Sequence, residues 1–283
     1  MAEIPRQEQP YPGETSEMSP QPEDEMRGYT GTGLLDGKRA LVTGGDSGIG
    51  RAVAVAFAKE GADVAIAYLS EDEDAEHTGR LIGEAGRRSV LIRGDLAEEQ
   101  HCHETVRRTA DELGGLDILV NNIAYQHPVA DLTELSTEQL IHTFHVNIFS
   151  YVWTTKAALA YLPEGSGAII NTGSINGLRG NRSLIDYAAT KGAVTAFTYS
   201  MAQSLVDRGI RVNCVAPGPV WTPLIPATMP AERVEGFGEH APLGRAAHPD
   251  EIAPSFVFFA SERLSSYYTG EVLAPTGGEI QKG

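Results

Sequence analysis

Long apolar runs are missing. No stretch of the 283 residues is apolar for long enough to span a bilayer as a helix, so no membrane partner is expected. Cysteine is scarce, with Cys102 and Cys214 alone. Two thiols so far apart make neither a disulfide framework nor metal-ligand spacing. The expectation is two free thiols in a reducing cytoplasm and no metal site. The start of the chain has no basic segment leading into an apolar one, so no secretory signal is expected. Positive charge is in deficit: 22 Lys and Arg against 38 Asp and Glu, a formal net charge of −16. Such a chain repels nucleic acid and anionic membrane at long range. Any anionic ligand must be held by local donors, not by overall charge.

What is present suits one layered α/β domain. Hydrophobic residues make up 41% of the chain, enough for a substantial core. Residues 1–34 differ from the rest. They carry Pro5, Pro10, Pro12, Pro20 and Pro22 among acidic residues and few aliphatic ones. That composition buries little apolar surface and reads as an extended arm ahead of one domain over residues 35–283. The arm is expected either as a disordered tail or as a strap over a neighbouring subunit, with Tyr11, Met18, Met26 and Tyr29 as anchors. Beyond it, short β-branched runs at 40–42, 63–68, 89–92, 118–120, 168–170, 211–215 and 272–274 alternate with helical patterns. Near-continuous apolar strands separated by helices predict a parallel sheet covered on both faces.

The run at 40–42 leads into Thr43-Gly44-Gly45-Asp46-Ser47-Gly48-Ile49-Gly50 and then a helix over 51–59. A strand, a glycine turn and a helix in that order make an anion site, because free N–H groups and the helix dipole point at phosphate. Gly44 permits the turn, Gly48 lets the backbone approach a pyrophosphate, and Gly50 allows close packing. Asp46, Ser47 and Ile49 complete the loop. Three later segments fit the same ligand. Asp95 and Leu96 end the third strand, where a carboxylate accepts from an adenine amine or caps a helix over 97–109. Asn122 and Ala124 follow the fourth strand, at the crevice beyond the carboxyl ends. Pro217, Gly218, Val220 and Thr222 follow the sixth.

Tyr187-Ala188-Ala189-Thr190-Lys191 lies in a helical pattern over 183–194, which puts Tyr187 and Lys191 on one face. A free phenol titrates near pH ~10, and lowering it by about three units takes roughly 4 kcal/mol. A cation about 4 Å away at an effective dielectric of about 20 supplies that much. Lys191 is the local cation. Ser174 ends the fifth strand, where its hydroxyl reaches a substrate oxygen. Asn147, in a helical stretch over 136–162, reads by itself as a hydrogen-bonded core amide.

With these residues assembled, the chain resembles the short-chain dehydrogenase/reductase family over about residues 35–278. T-G-x-x-x-G-x-G at 43–50, N-N-x-A at 121–124, Ser174 and Y-x-x-x-K at 187–191 occur in the family's order. The arm and residues 68–75 look like a subgroup with bacterial aldehyde reductases and plant glucose/ribitol dehydrogenase homologues. The resemblance implies a Rossmann-type doubly wound sheet of seven parallel strands and a homotetramer. It implies hydride transfer between a nicotinamide cofactor and a carbonyl or alcohol substrate, with a tetrad of Asn147, Ser174, Tyr187 and Lys191. In that picture Tyr187 is the general acid/base and Ser174 orients the substrate oxygen. Lys191 lowers the tyrosine pKa and holds the nicotinamide ribose, and Asn147 supports a water leading to Lys191.

Two departures bear on the site. Ile123 and Tyr125 are bulkier than the family's usual residues, so a narrower cleft is expected near the nicotinamide. At the end of the second strand an NAD enzyme usually carries a carboxylate. Tyr68 stands there instead, although Asp46 takes the place of a usual basic residue and no Arg or Lys follows Tyr68 closely. Ser47 and Ser70 remain as neutral phosphate donors, and the balance favours NADP over NAD. The substrate lid should follow Pro217, with Trp221, Leu224, Ile225, Pro226, Met229 and Phe237. Gln126 and His127 face it, His127 more as a surface residue. No basic cluster marks an anionic substrate, which leaves a small aldehyde, ketone, sugar or polyol. The competing readings are a catalytically silent dinucleotide-binding regulator and, lower, a dehydratase or epimerase.

Overall fold

The computed structural model describes residues 3–279. Met1, Ala2 and residues 280–283, the outer ends of the expected arm and domain, lie outside the described residues. Seven strands form one parallel sheet: β1 (Arg39–Thr43), β2 (Asp63–Tyr68), β3 (Ser89–Arg93), β4 (Ile118–Asn121), β5 (Ala168–Thr172), β6 (Arg211–Val215) and β7 (Val272–Leu273). Their order is β3-β2-β1-β4-β5-β6-β7, the doubly wound arrangement. β7, expected over 272–274, is held by only two registered pairs against β6, Cys214↔Val272 and Val215↔Leu273.

The helices between them are α1 (Gly48–Lys59), α2 (Asp72–Glu84), α3 (Glu99–Leu113), α4 (Thr137–Phe144), α5 (Ser150–Ala158), α6 (Ile175–Arg179) and α7 (Ile185–Leu205). Then come α8 (Leu224–Thr228), α9 (Ala231–Val234), α10 (Pro249–Ala260) and α11 (Glu262–Ser265). Period-2 alternation splits each strand between two cores. Ala40, Val42, Val64 and Ile66 pack on α1, α2 and α10. Leu41, Ala65, Leu119, Ile169 and Val212 pack on α3, α5 and α7. Cys102 and Cys214 are buried free thiols.

Several helices differ from expectation, and the one expected over 97–109 is α3, Glu99–Leu113. The stretch expected as one helix over 136–162 is α4 and α5 joined by a π-helical segment, His145–Phe149. The helix expected over 183–194 runs on to Leu205, because Val194, Thr198, Ala202 and Leu205 continue its buried stripe. The arm is not a loose tail: its described residues lie on the body of their own chain. Ile4, Met18 and Met26 are buried, and Met26 joins the α1–α10 core. The phenol of Tyr29 hydrogen-bonds the carboxylate of Glu60. A few well-spaced apolar side chains and polar clasps do what overall composition hides.

Candidate active site

The strand order reverses between β1 and β4, which sets the crevice at their carboxyl ends. A cavity of about 720 Å³ lies there. Gly44, Asp46, Ser47, Gly48 and Ile49 form one wall. A Cβ on Gly50 would sit 1.7 Å from the Gly44 carbonyl oxygen, so the helix meets the loop at a distance only glycine allows. The side-chain amide of Asn122 donates to the Thr43 and Gly44 carbonyls at 3.2 Å each, fixing the loop's turn. The first amides of α1 have no partner within the helix. That of Gly48 donates to Asp24 of the arm at 3.1 Å, and that of Ile49 follows beside the cavity. A cradle of glycines and helix-end amides fits a pyrophosphate.

Charge is concentrated behind this loop. Arg51, 2% exposed, pairs with Asp24 and Asp74 and donates to the Asp46 carbonyl at 2.9 Å. Burial pushes the Asp24 carboxyl up to about 6 against the pull of Arg51. Burial pushes Asp46 up to about 7, and nearby Glu71 and Asp74 add to the rise.

Tyr68 lines the cavity at the end of β2, and its phenol donates to Asp72 at 2.9 Å. Arg93 donates to the same carboxylate at 2.8 Å. The register Tyr68↔Arg93 thus puts a guanidinium beside Tyr68 that chain spacing conceals. Ser70, expected as a phosphate donor, is instead tied to the Glu71 carboxylate. Asp95 lines the cavity while one of its oxygens accepts from the Ala97 amide at 2.8 Å, which closes the turn before α3 and does not cap that helix, whose N-cap is Glu98. Leu96, Ala124, Pro217, Gly218, Val220 and Thr222 line the same cavity.

At the other end stand Ser174, Tyr187 and Lys191. Lys191 is 1% exposed. Its ammonium donates to the Thr172 carbonyl at 2.8 Å and to the Tyr151 phenol at 3.3 Å. It lies 5.7 Å from the centre of the Tyr187 ring. Burial pulls Lys191 down to about 8. Burial raises the Tyr187 phenol, and its hydrogen bond with Ser174 opposes that rise. The expectation of a phenol acidified by Lys191 is therefore corrected. In the protein alone, desolvation of the phenolate dominates, and Ser174 is the group that opposes it.

Asn147 is fully buried and does not line the cavity. Its carbonyl oxygen accepts from the Tyr125 amide at 2.7 Å. Its amide donates to the Tyr125 carbonyl at 2.8 Å and to Thr190 at 3.1 Å. It sits in the π-helical segment, a kind of local unwinding common at functional sites. Tyr125 does not narrow the cavity: its ring packs edge-on between Tyr11 and His142, while Ile123 lines the wall. Trp221 faces away too, buried with Ile4 and Met18 and donating to the Pro20 carbonyl at 2.8 Å. Leu224, Ile225, Met229 and Phe237 line the lid side, with buried Gln126; Pro226 is outside the lining and His127 is exposed. Tyr151 was not expected at all. Only the fold brings it under Lys191, and no local motif announces it. Arg179 and Arg233 also line the lid end, where no cation was foreseen. Arg179 is paired with Glu279, and Arg233 donates to Ser183 at 2.9 Å. Among the described residues no group of three or more His, Cys, Asp or Glu side chains could hold a metal, and no helix is long and apolar enough to cross a membrane.

A family model described as "Enoyl-(Acyl carrier protein) reductase" matches residues 44–279. The chain belongs to the short-chain dehydrogenase/reductase family. It is an oxidoreductase of that family. General stress protein 39 of Bacillus subtilis is 55% identical over 98% of this chain and 97% of that protein. The NADPH-dependent aldehyde reductase 1 of Arabidopsis thaliana is 44% identical over 99% of each chain. A crystal structure of a short-chain dehydrogenase from Burkholderia cenocepacia in complex with NADP superposes with a TM-score of 0.79 at 35% identity. It covers 87% of this chain and 98% of its own.

Proposed function

We propose that this chain is an NAD(P)-dependent carbonyl reductase and alcohol dehydrogenase in which Tyr187 gives and takes the substrate proton. The carrying observation is that Tyr187, Ser174 and Lys191 share one cavity with the glycine loop. A bound nicotinamide supplies the hydride acceptor or donor. The glycine-loop amides hold the pyrophosphate, Asp95 and Leu96 the adenine, and Asn122 and Ala124 the wall between them. Lys191 holds the nicotinamide-side ribose, while Pro217, Gly218, Val220 and Thr222 close the far wall.

The phenol rests protonated, because burial raises it. That is the form needed to protonate a carbonyl oxygen as hydride reaches the adjacent carbon, so the resting site is set for reduction. Ser174 orients that oxygen by a second hydrogen bond. Asn147 positions the Tyr125 backbone and Thr190, beside Lys191, and does not touch substrate. Mixed polar and apolar lining at the lid suits a small aldehyde, ketone, sugar or polyol. The names of relatives, an NADPH-dependent aldehyde reductase and glucose and ribitol dehydrogenase homologues, support that class. They also favour NADP, as does Arg93 beside Tyr68; Asp46 and Glu71 oppose it. Exposed Ile141, Phe149, Val152 and Tyr199 on α4, the π segment, α5 and α7 support association into a homotetramer.

The test is a titration of the purified protein with NADPH and NADH, then turnover of an aldehyde, ketone and sugar panel with the tighter one. Binding together with oxidation of the reduced cofactor is expected. Binding with no turnover on any carbonyl or alcohol would instead mark a silent dinucleotide-binding protein.

A further inference from the structure

The arm reaches the cavity. Tyr11, Pro12 and Gly13 line it. Two anchors hold this segment from opposite sides. The Gln9 amide donates to the Pro226 carbonyl of α8 at 2.9 Å. The Thr15 amide donates to the Asp74 carboxylate of α2 at 2.9 Å. Residues 10–14 therefore bridge the lid helix and the helix that follows β2. The approach to the lid is close. Gly13 has φ +91°, and a Cβ there would meet the Pro223 carbonyl oxygen at 2.8 Å and the Ala227 methyl at 2.9 Å. Farther along, the buried Asp24–Arg51 pair and the Trp221 bond to Pro20 fasten the arm to the body.

Tyr11 hangs between these anchors. Its ring packs edge-on against Tyr125 with centres 5.2 Å apart. Glu71, Asp95 and Asp46 line the same cavity, and their charges bear on its phenol. Those three and Tyr125 follow the carboxyl ends of β2, β3, β1 and β4, the half of a doubly wound sheet that takes the adenosine of a dinucleotide. Yet Tyr11 is 39% exposed. A large aromatic residue pinned on both sides, part-exposed and lining a ligand-sized cavity lacks the partner that would cover it.

We infer that Tyr11 is a nucleotide-binding residue supplied by the arm, which closes the adenosine half of the cleft by laying its ring against the adenine-ribose moiety. This rests on the dinucleotide reading above. Stacking a base on an aromatic ring tolerates Phe but not an aliphatic side chain.

The experiment titrates the full chain and its Tyr11→Phe, Tyr11→Leu and Tyr11→Ala variants with NADPH, NADH, ADP-ribose and nicotinamide mononucleotide. Tyr11→Ala and Tyr11→Leu are expected to weaken both dinucleotides and ADP-ribose by about tenfold. Nicotinamide mononucleotide should be unaffected, and Tyr11→Phe should stay within about twofold of the parent. Equal affinities for all four proteins would overturn the inference and leave the functional reading standing. So would a loss confined to nicotinamide mononucleotide, or one that Leu spares as well as Phe does. If the unaltered chain binds no dinucleotide, the functional reading itself fails.

Discussion

At the glycine-loop end of the cavity the inward-facing groups are backbone amides and carboxylates, and the arm adds an outer wall. At the Tyr187 end they are a phenol and one buried ammonium, both from α7, and a hydroxyl from the residue that caps α6. On the proposed function the first end binds through main chain held in shape by charge pairs set behind it, and the second acts through side chains whose protonation is set by burial. One end should therefore respond to mutation in stability and affinity, the other in rate and pH dependence.

Arg51→Ala tests the first half of that contrast most severely. It leaves Asp24 and Asp74 buried without their cation, and removing one partner of a buried pair costs about 3–5 kcal/mol. Chemical denaturation should show a loss of that order. A loss under about 1 kcal/mol would mean the pairs behind the loop are not what holds it.

Asp46→Asn sharpens the contrast through pH. The Asp46 carboxyl is raised to about 7, so the folded chain binds its proton more tightly than the unfolded chain does. Its neutral form is fully favourable below the ordinary carboxylate range, and that stability is lost as pH rises through about 7. Asn keeps the shape and cannot ionise. The variant should match the parent near pH ~4 and exceed it above pH ~7 by on the order of a few kcal/mol. Thermal melting without cofactor at both pH values is the readout, and a gain independent of pH would contradict the assignment.

Tyr151→Phe probes the reaction end. It removes one of the two acceptors that hold the Lys191 ammonium, an effect of about 1 kcal/mol or roughly fivefold in kcat/KM. Lys191 lies near 8 with both acceptors present, so reduction by the parent should fall as pH rises through that value. In the variant the fall should begin at lower pH. An unmoved alkaline limb would separate Tyr151 from Lys191.

The same contrast explains what the sequence could show. The glycine loop and the Tyr187–Lys191 pair are local strings, and each predicts its own geometry because spacing along one turn or one helix decides it. The seven strands were legible for the same reason, through short runs with fixed alternation. Tyr151, Arg93 and Asp24 were not, since each matters through a residue far away in the chain. Arg93 meets Tyr68 only through sheet register, and Asp24 meets Gly48 only because the arm folds back. Tyr125 and Trp221 were placed by position and misjudged by direction. Asn147 and His142 hold Tyr125 against Tyr11, and the buried arm residues Ile4 and Met18 draw Trp221 away from the lid. The π segment at Asn147 is equally silent in sequence, because its residues His145–Phe149, weak helix formers without Gly or Pro, do not break the helical pattern.

In the proposed function Tyr187 moves the proton while the rest of the cavity binds. Tyr187→Phe keeps the ring and removes only the hydroxyl. Steady-state turnover and dinucleotide affinity should be measured on the same preparation. A fall in kcat of at least about a hundredfold is expected, as befits loss of a general acid, with Kd for the dinucleotide within about threefold of the parent. Turnover that survives the loss of that hydroxyl would contradict it.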